Sequence, residues 1–152
     1  MKRRALVLIF LGLTGCVGNS GHVDLTNTPE VKQSAIIGER LTLKKDMLMA
    51  REPWEQYDDL LTPPFEPSPG VHYKITGQLS EGTPLVVVTA QHQTECDGFW
   101  HWGRETAIGR VMSRPYAGRL IVVGDAAGDL NWSMVADPAV FKAESLGTPG
   151  PE

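Results

Sequence analysis

The sequence predicts a mainly β protein: a small antiparallel barrel, with a β-sandwich as the alternative, carrying one short helix and long loops. Three observations predict it. Apolar residues between positions 36 and 146 recur mostly with period two, in short runs. Clusters of Gly, Pro and Asp punctuate those runs. The two most apolar runs of this region, "LVVVTA" and "LIVV", are strand-sized and far too short to cross a bilayer.

The elements follow in chain order. In "ERLTLKKDMLMA", Leu41 and Leu43, then Met47 and Met49, fall on one face of two strand segments. "EPWEQYDDLL", residues 52–61, is the helical candidate, with Pro53 near its first turn and Trp54, Tyr57 and Leu61 on one side. The Pro-rich "TPPFEPSPG" ends it. "VHYKITGQL" alternates Val71, Tyr73 and Ile75. "LVVVTA" is nearly continuous, as a strand buried on both faces would be. Residues 91–105, "QHQTECDGFWHWGRE", read as a mostly polar loop. "AIGRVMS" and "RLIVVGD" are strands joined by "RPYAG", whose Pro115 and Gly118 suit a tight turn. "GDAAGD" is a further turn, and "AVFKAESL" a last strand or short helix. There is no internal repeat.

The start of the chain bears on compartment. Lys2, Arg3 and Arg4 form a basic n-region, and Ala5 to Leu13 an apolar run broken only by Gly12. That pattern reads as a secretory signal peptide over residues 1–15. It ends in Leu13-Thr14-Gly15-Cys16, which resembles the bacterial lipobox. The resemblance implies a bacterial lipoprotein: a diacylglyceryl group on the Cys16 thiol, cleavage after Gly15, and an acylated new amino terminus. Several acyl chains make anchoring stable where one does not. Position 17 is Val. The absence of an Asp there, the inner-membrane retention signal of enteric-type lipoproteins, points to the outer membrane and a mostly periplasmic-facing protein.

Cleavage leaves 152 − 15 = 137 residues, one domain's worth. Residues 16–35 are expected as a lipidated terminus and polar tether, 36–146 as a single β domain and 147–152 as a tail. Loss of the three basic residues leaves 11 Lys and Arg against 18 Asp and Glu, a net charge of −7. So acidic a chain is a poor nucleic-acid binder. The section "GTPLVVV", a connecting segment and "AIGRVMSRPYAGRLIVV" together resemble the body of a bacterial Src-homology-3-like barrel.

Residues 91–105 hold the densest chemistry. His92, Cys96 and His101, with Glu95 or Asp97 as a fourth ligand, give a spacing a zinc ion tolerates, but they lie on one segment with no second ligand pair, and His22 and His72 are isolated. Cys96 as a nucleophile needs a base, His92 or His101, yet neither a family signature nor a predicted helix start accompanies it. No G-x-S-x-G, P-loop or G-x-G-x-x-G occurs, so no catalytic residue and no cofactor is assigned. With Cys16 lipidated, Cys96 has no internal disulfide partner. The aromatic run "FWHW" is followed by Arg104, Arg110, Arg114 and Arg119, and no acidic residue occurs from Thr106 to Gly124. Aromatic rings and arginines dominate many interfaces. The expectation is a non-catalytic envelope lipoprotein, anchored in the membrane, that binds a protein or peptidoglycan partner through Trp100, Trp102, Arg104, Arg110 and Arg114. The alternative is a metal-binding or thiol-dependent protein using His92, Cys96 and His101.

Overall fold

The computed structural model describes residues 21–53, 55–66, 72–97, 100–126 and 136–144, with backbone alone at 95–97, 100–102, 125 and 126. The signal segment, Cys16, Trp54, Val71 and the 147–152 tail lie outside the described residues. The elements are β1 (Gly21–Asp24), α1 (Pro29–Ser34), β2 (Arg40–Leu43), β3 (Met47–Arg51), β4 (Asp59–Leu61), β5 (Lys74–Leu79), β6 (Pro84–Asp97), β7 (Trp100–Val111), β8 (Leu120–Ala126) and β9 (Phe141–Glu144).

The protein is mainly β and its sheets are antiparallel. One sheet runs β8-β7-β6-β2-β9, with β1 also on β6; the other runs β4-β3-β5. The two sheets are not closed into a barrel. A parallel bridge between Asp58 and Ile121 links them. The long β6–β7 hairpin is the spine. Its first half carries β2 on Pro84–Val86, and its far half carries β1 on Gln91–Thr94.

The period-two reading holds where it is strictest. Leu41, Leu43, Met47 and Met49 are all buried in one core with Leu79, Leu85, Val87, Val111, Ile121, Val123 and Phe141. The turn between Met112 and Arg119 also forms, held by the bonds from Gly118 N–H to Val111 O and Arg119 N–H to Tyr116 O. The last candidate resolves as a strand, β9, on the edge of β2.

Several expectations are corrected. The 52–61 helix does not form; the segment is a turn followed by β4. Tertiary contacts win over the helical spacing there, because the Asp58 carbonyl accepts from Val122 N–H at 2.9 Å and Asp59–Leu61 pair with β3. The helix lies instead at Pro29–Ser34, within the expected tether. Thr28 caps it, Pro29 opens it, and it buries Val31. The tether reading therefore fails from Gly21 onward, where β1 already pairs with β6. "LVVVTA" is not buried on both faces: Leu85, Val87 and Ala90 are buried while Val86 and Val88 are half-buried. A bulge at Val88 shifts the alternation by one residue. Ile75 is exposed, and Leu79 takes the core position on β5. Residues 91–105 are not a loop but mostly the far half of the hairpin, with Cys96 opposite His101 and Asp97 opposite Trp100. Polar composition had masked a ladder that needs no apolar side chains to form.

Candidate binding surface

Cross-strand partners share a face of a sheet. The register therefore places Glu144, Arg40, Val86, Arg110 and Leu120 in one row across β9, β2, β6, β7 and β8. The next row on that face is Lys142, Thr42 and Pro84, with Met112 joined through its N–H to the Pro84 carbonyl at 2.9 Å. Arg40, Pro84, Leu85, Val86, Met112 and Glu144 line a groove of about 310 Å³. Met112 is 55% exposed, one of three large hydrophobic residues so exposed among the described residues. Thr42 Oγ1 donates to Glu144 Oε1 at 2.8 Å. Arg40 and Arg110 are exposed and make no side-chain hydrogen bond or ion pair among the described residues. The face thus sets Arg40, Arg110 and Lys142 against one carboxylate, around an apolar strip, on a chain that is acidic overall. Arg114 is exposed in the turn beyond Met112.

The other arginines have internal work. Arg119 Nε donates to the buried Asp58 Oδ2 at 2.7 Å. Thr76 Oγ1 donates to Asp58 Oδ1 at 2.9 Å, and Arg51 Nε lies 3.5 Å from that oxygen. Asp58 is thereby tied to β5 and to the start of β8, fixing the two sheets together. Arg104 points toward a polar chain between the sheets: its Nε donates to Gln93 Oε1 at 3.4 Å, and its Nη2 lies 4.0 Å from Asp59. Gln93 Nε2 in turn donates to both oxygens of Glu55 at 2.9 Å. Beside this chain, Asp59, Tyr73, Arg104, Val122, Asp137 and Phe141 help line a cleft of about 280 Å³. Burial, then the carboxylate of Asp59, holds the Tyr73 phenol above the usual tyrosine range.

The metal candidates come only partly into view. His92 Nδ1 lies 3.5 Å from Glu105 Oε1, and its ring covers Gly103. Cys96 and His101 are backbone partners near the hairpin end, and their side chains lie outside the described residues, as do those of Trp100 and Trp102. No group of three or more His, Cys, Asp or Glu able to hold a metal occurs among the described residues.

The structure therefore separates the predicted site residues. Arg110 and Arg114 lie at the β2 end of the hairpin, Arg104 faces the inter-sheet carboxylates, and Trp100 and Trp102 stand at the far end. Sequence reasoning missed Arg40 and Met112. Their signal is the β2–β6–β7 register, which joins residues distant in the chain. Compared with protein families, curated proteins and solved structures, the chain matches none of them.

Proposed function

We propose that this chain is a non-catalytic lipoprotein of the bacterial cell envelope, held in the outer membrane through Cys16. It binds an acidic protein or an anionic cell-wall partner on the outer face of its larger sheet. The observation that carries the reading is the row of Arg40, Val86 and Arg110 beside the exposed Met112. Arginines without internal partners, flanking an apolar groove, suit a partner that brings carboxylates or phosphates to the rim and an apolar group to the middle. Arg114 extends the rim. The Src-homology-3-like likeness of residues 82–123 belongs to the same proposal: the Asp58–Ile121 bridge supports a barrel-like arrangement of the two sheets.

Two measurements test it. Cys16→Ser should abolish fatty-acid incorporation; continued labelling removes the anchor. Arg40→Gln combined with Arg110→Gln should leave the melting temperature nearly unchanged, because both side chains are exposed and no like charge is set opposite Glu144. The same variant should lower capture of an envelope partner by a photo-cross-linker at position 112 about tenfold or more, most strongly at low salt. Undiminished capture sinks the face.

A further inference from the structure

We propose that the outer edge of β9 pairs with the same edge of a second copy of this chain, antiparallel across a two-fold axis at Ala143. β9 is the last strand of the larger sheet and pairs with β2. The bonds around β2 fix which way each main-chain group points. Leu43 faces β6 with both of its groups: its N–H donates to the Thr83 carbonyl at 3.0 Å, and its carbonyl accepts from Gly82 N–H at 2.8 Å. Main-chain groups alternate sides along a strand, so those of Thr42 and Arg40 face β9. Lys142 and Glu144, their register partners, therefore turn their groups toward β2. Ala143, between them, turns its N–H and carbonyl outward. The bond from Lys44 N–H to the Val140 carbonyl at 2.9 Å fits the same alternation. Ala143 is exposed, and among the described residues nothing bonds to its outward groups. The other end of the sheet differs: Val122 N–H of β8 donates to the Asp58 carbonyl at 2.9 Å, which caps that edge. An uncapped edge is a template for another strand.

The side chains select the occupant. Centred on Ala143, an antiparallel pair makes that residue and its copy exchange two N–H···O bonds. It also sets Lys142 of each copy opposite Glu144 of the other, a match that two-fold symmetry makes twice. Opposite charges directly across two strands attract. Both side chains are exposed on the face that carries Arg40 and Arg110, and Thr42 Oγ1 holds Glu144 there at 2.8 Å. Centring the pair on Lys142 or on Glu144 would oppose like charges, so Ala143 is the register that the sequence favours.

The paired segment is short, Lys142 to Glu144, well below the roughly 1,200 Å² of a stable interface. The dimer is therefore reversible and concentration-dependent. It sets two copies of the Arg40–Arg110 face side by side, each with the other's Lys142 beside its Glu144. Neither the anchor nor the partner proposed above is needed for it.

The test uses the full chain with Cys96→Ala, in sedimentation equilibrium and in oxidative cross-linking. The mass should rise with concentration toward twice that of the monomer. Ala143→Pro should keep it at the monomer, because proline removes only the outward N–H and is tolerated on an edge. A cysteine at 143 should cross-link to its copy about fivefold or more faster than one at Ala117, since hydrogen-bonded partners lie about 5.5 Å apart at Cα, within disulfide reach. Lys142→Glu should slow that link about fivefold or more, most strongly at low salt. Mixing it with a chain carrying Glu144→Lys and Arg40→Gln should restore the link between unlike copies, with thermal melts confirming each fold. A monomer at every concentration up to about 1 mM overturns the pairing, since even weak specific association is populated there. So does a dimer that Ala143→Pro and Lys142→Glu leave unchanged, or equal cross-linking at 143 and 117. A photo-cross-linker at 143 that captures only a different envelope protein overturns the second copy and gives the edge to that protein. If the proline variant does not fold, the charge exchange decides.

Discussion

Between Pro84 and Ala90, β6 sends Leu85, Val87 and Ala90 into the core with Ala107 and Val111 of β7. Between Gln91 and Thr94 the same strand buries Gln91 and Gln93, and β7 buries Thr106 opposite Gln91. The ladder is continuous, but the buried chemistry changes from apolar to polar. In the far half the Gln91 Nε2, Thr106 Oγ1 and Glu105 Oε2 atoms are buried with no hydrogen-bond partner. Buried polar atoms left unmatched oppose folding. The near half supplies stability. The far half is held out by ladder continuity and by its pairing with β1.

The difference can be broken most forcefully from the near half. Leu85 is 1% exposed within the core. Leu85→Ala should cost about 2–5 kcal/mol in chemical denaturation, by lost burial and the cavity left behind. A loss under about 1 kcal/mol would mean that the core lies elsewhere.

A matched pair of glycines on β7 sharpens the contrast. A Cβ at Gly109 would stand 2.5 Å from Val123 Cγ1, on a stiff side chain in the core. Gly109→Ala should therefore cost about 1–3 kcal/mol. At Gly103 a Cβ would also meet an atom at 2.5 Å, but that atom belongs to the His92 ring, the end of a 37% exposed side chain that can swing outward at the cost only of its 3.5 Å approach to Glu105. Gly103→Ala should cost only about 0.5 kcal/mol or less. Equal costs would show the two halves to be equally rigid.

The smallest effect has the opposite sign. Thr106 is fully buried and its hydroxyl is unpartnered. Thr106→Val keeps the shape and removes the stranded hydroxyl, so it should stabilise the protein by about 0.5–1 kcal/mol. A destabilised variant would show that the hydroxyl has a partner after all.

Legibility followed the same division. Where side chains alternate between core and solvent, as at Leu41, Leu43, Met47 and Met49, the strands were readable, because burial on one face writes period two into the sequence. Where the ladder carries polar residues, as at Gln91, Gln93 and Thr106, period two is invisible to hydropathy and the hairpin read as a loop. Trp54, Tyr57 and Leu61 have helical spacing, but long-range contacts of Asp58 with Thr76 and Arg119 override it. Thr28-Pro29-Glu30 is a helix-start signal that went unread because the surrounding segment is so polar. Of the candidate binding surface, the acid-free run pointed to Arg110 and Arg114. It also included Arg119, which the structure binds to Asp58. Arg40 joins the face only through pairing across Val86, and no local pattern encodes that.

The pairing of β1 has a mechanical consequence. Gly21–Asp24 run antiparallel along Thr94–Gln91, so a pull on the N-terminal end acts along the strand axis. Inter-strand hydrogen bonds in such a pair lie perpendicular to the strands. The load is therefore shear, shared by the whole short ladder at once, instead of opening it bond by bond like a zipper. Just behind it, Leu25 N–H donates to the Ala90 carbonyl at 2.8 Å and Thr26 Oγ1 sits 2.7 Å from Thr89 Oγ1. Val31 of α1 is plugged into the core a few residues later. Force arriving from the N-terminal side is passed into the central strand β6 through a clasp backed by a plug, and from there to β2 and β7, which pair with it.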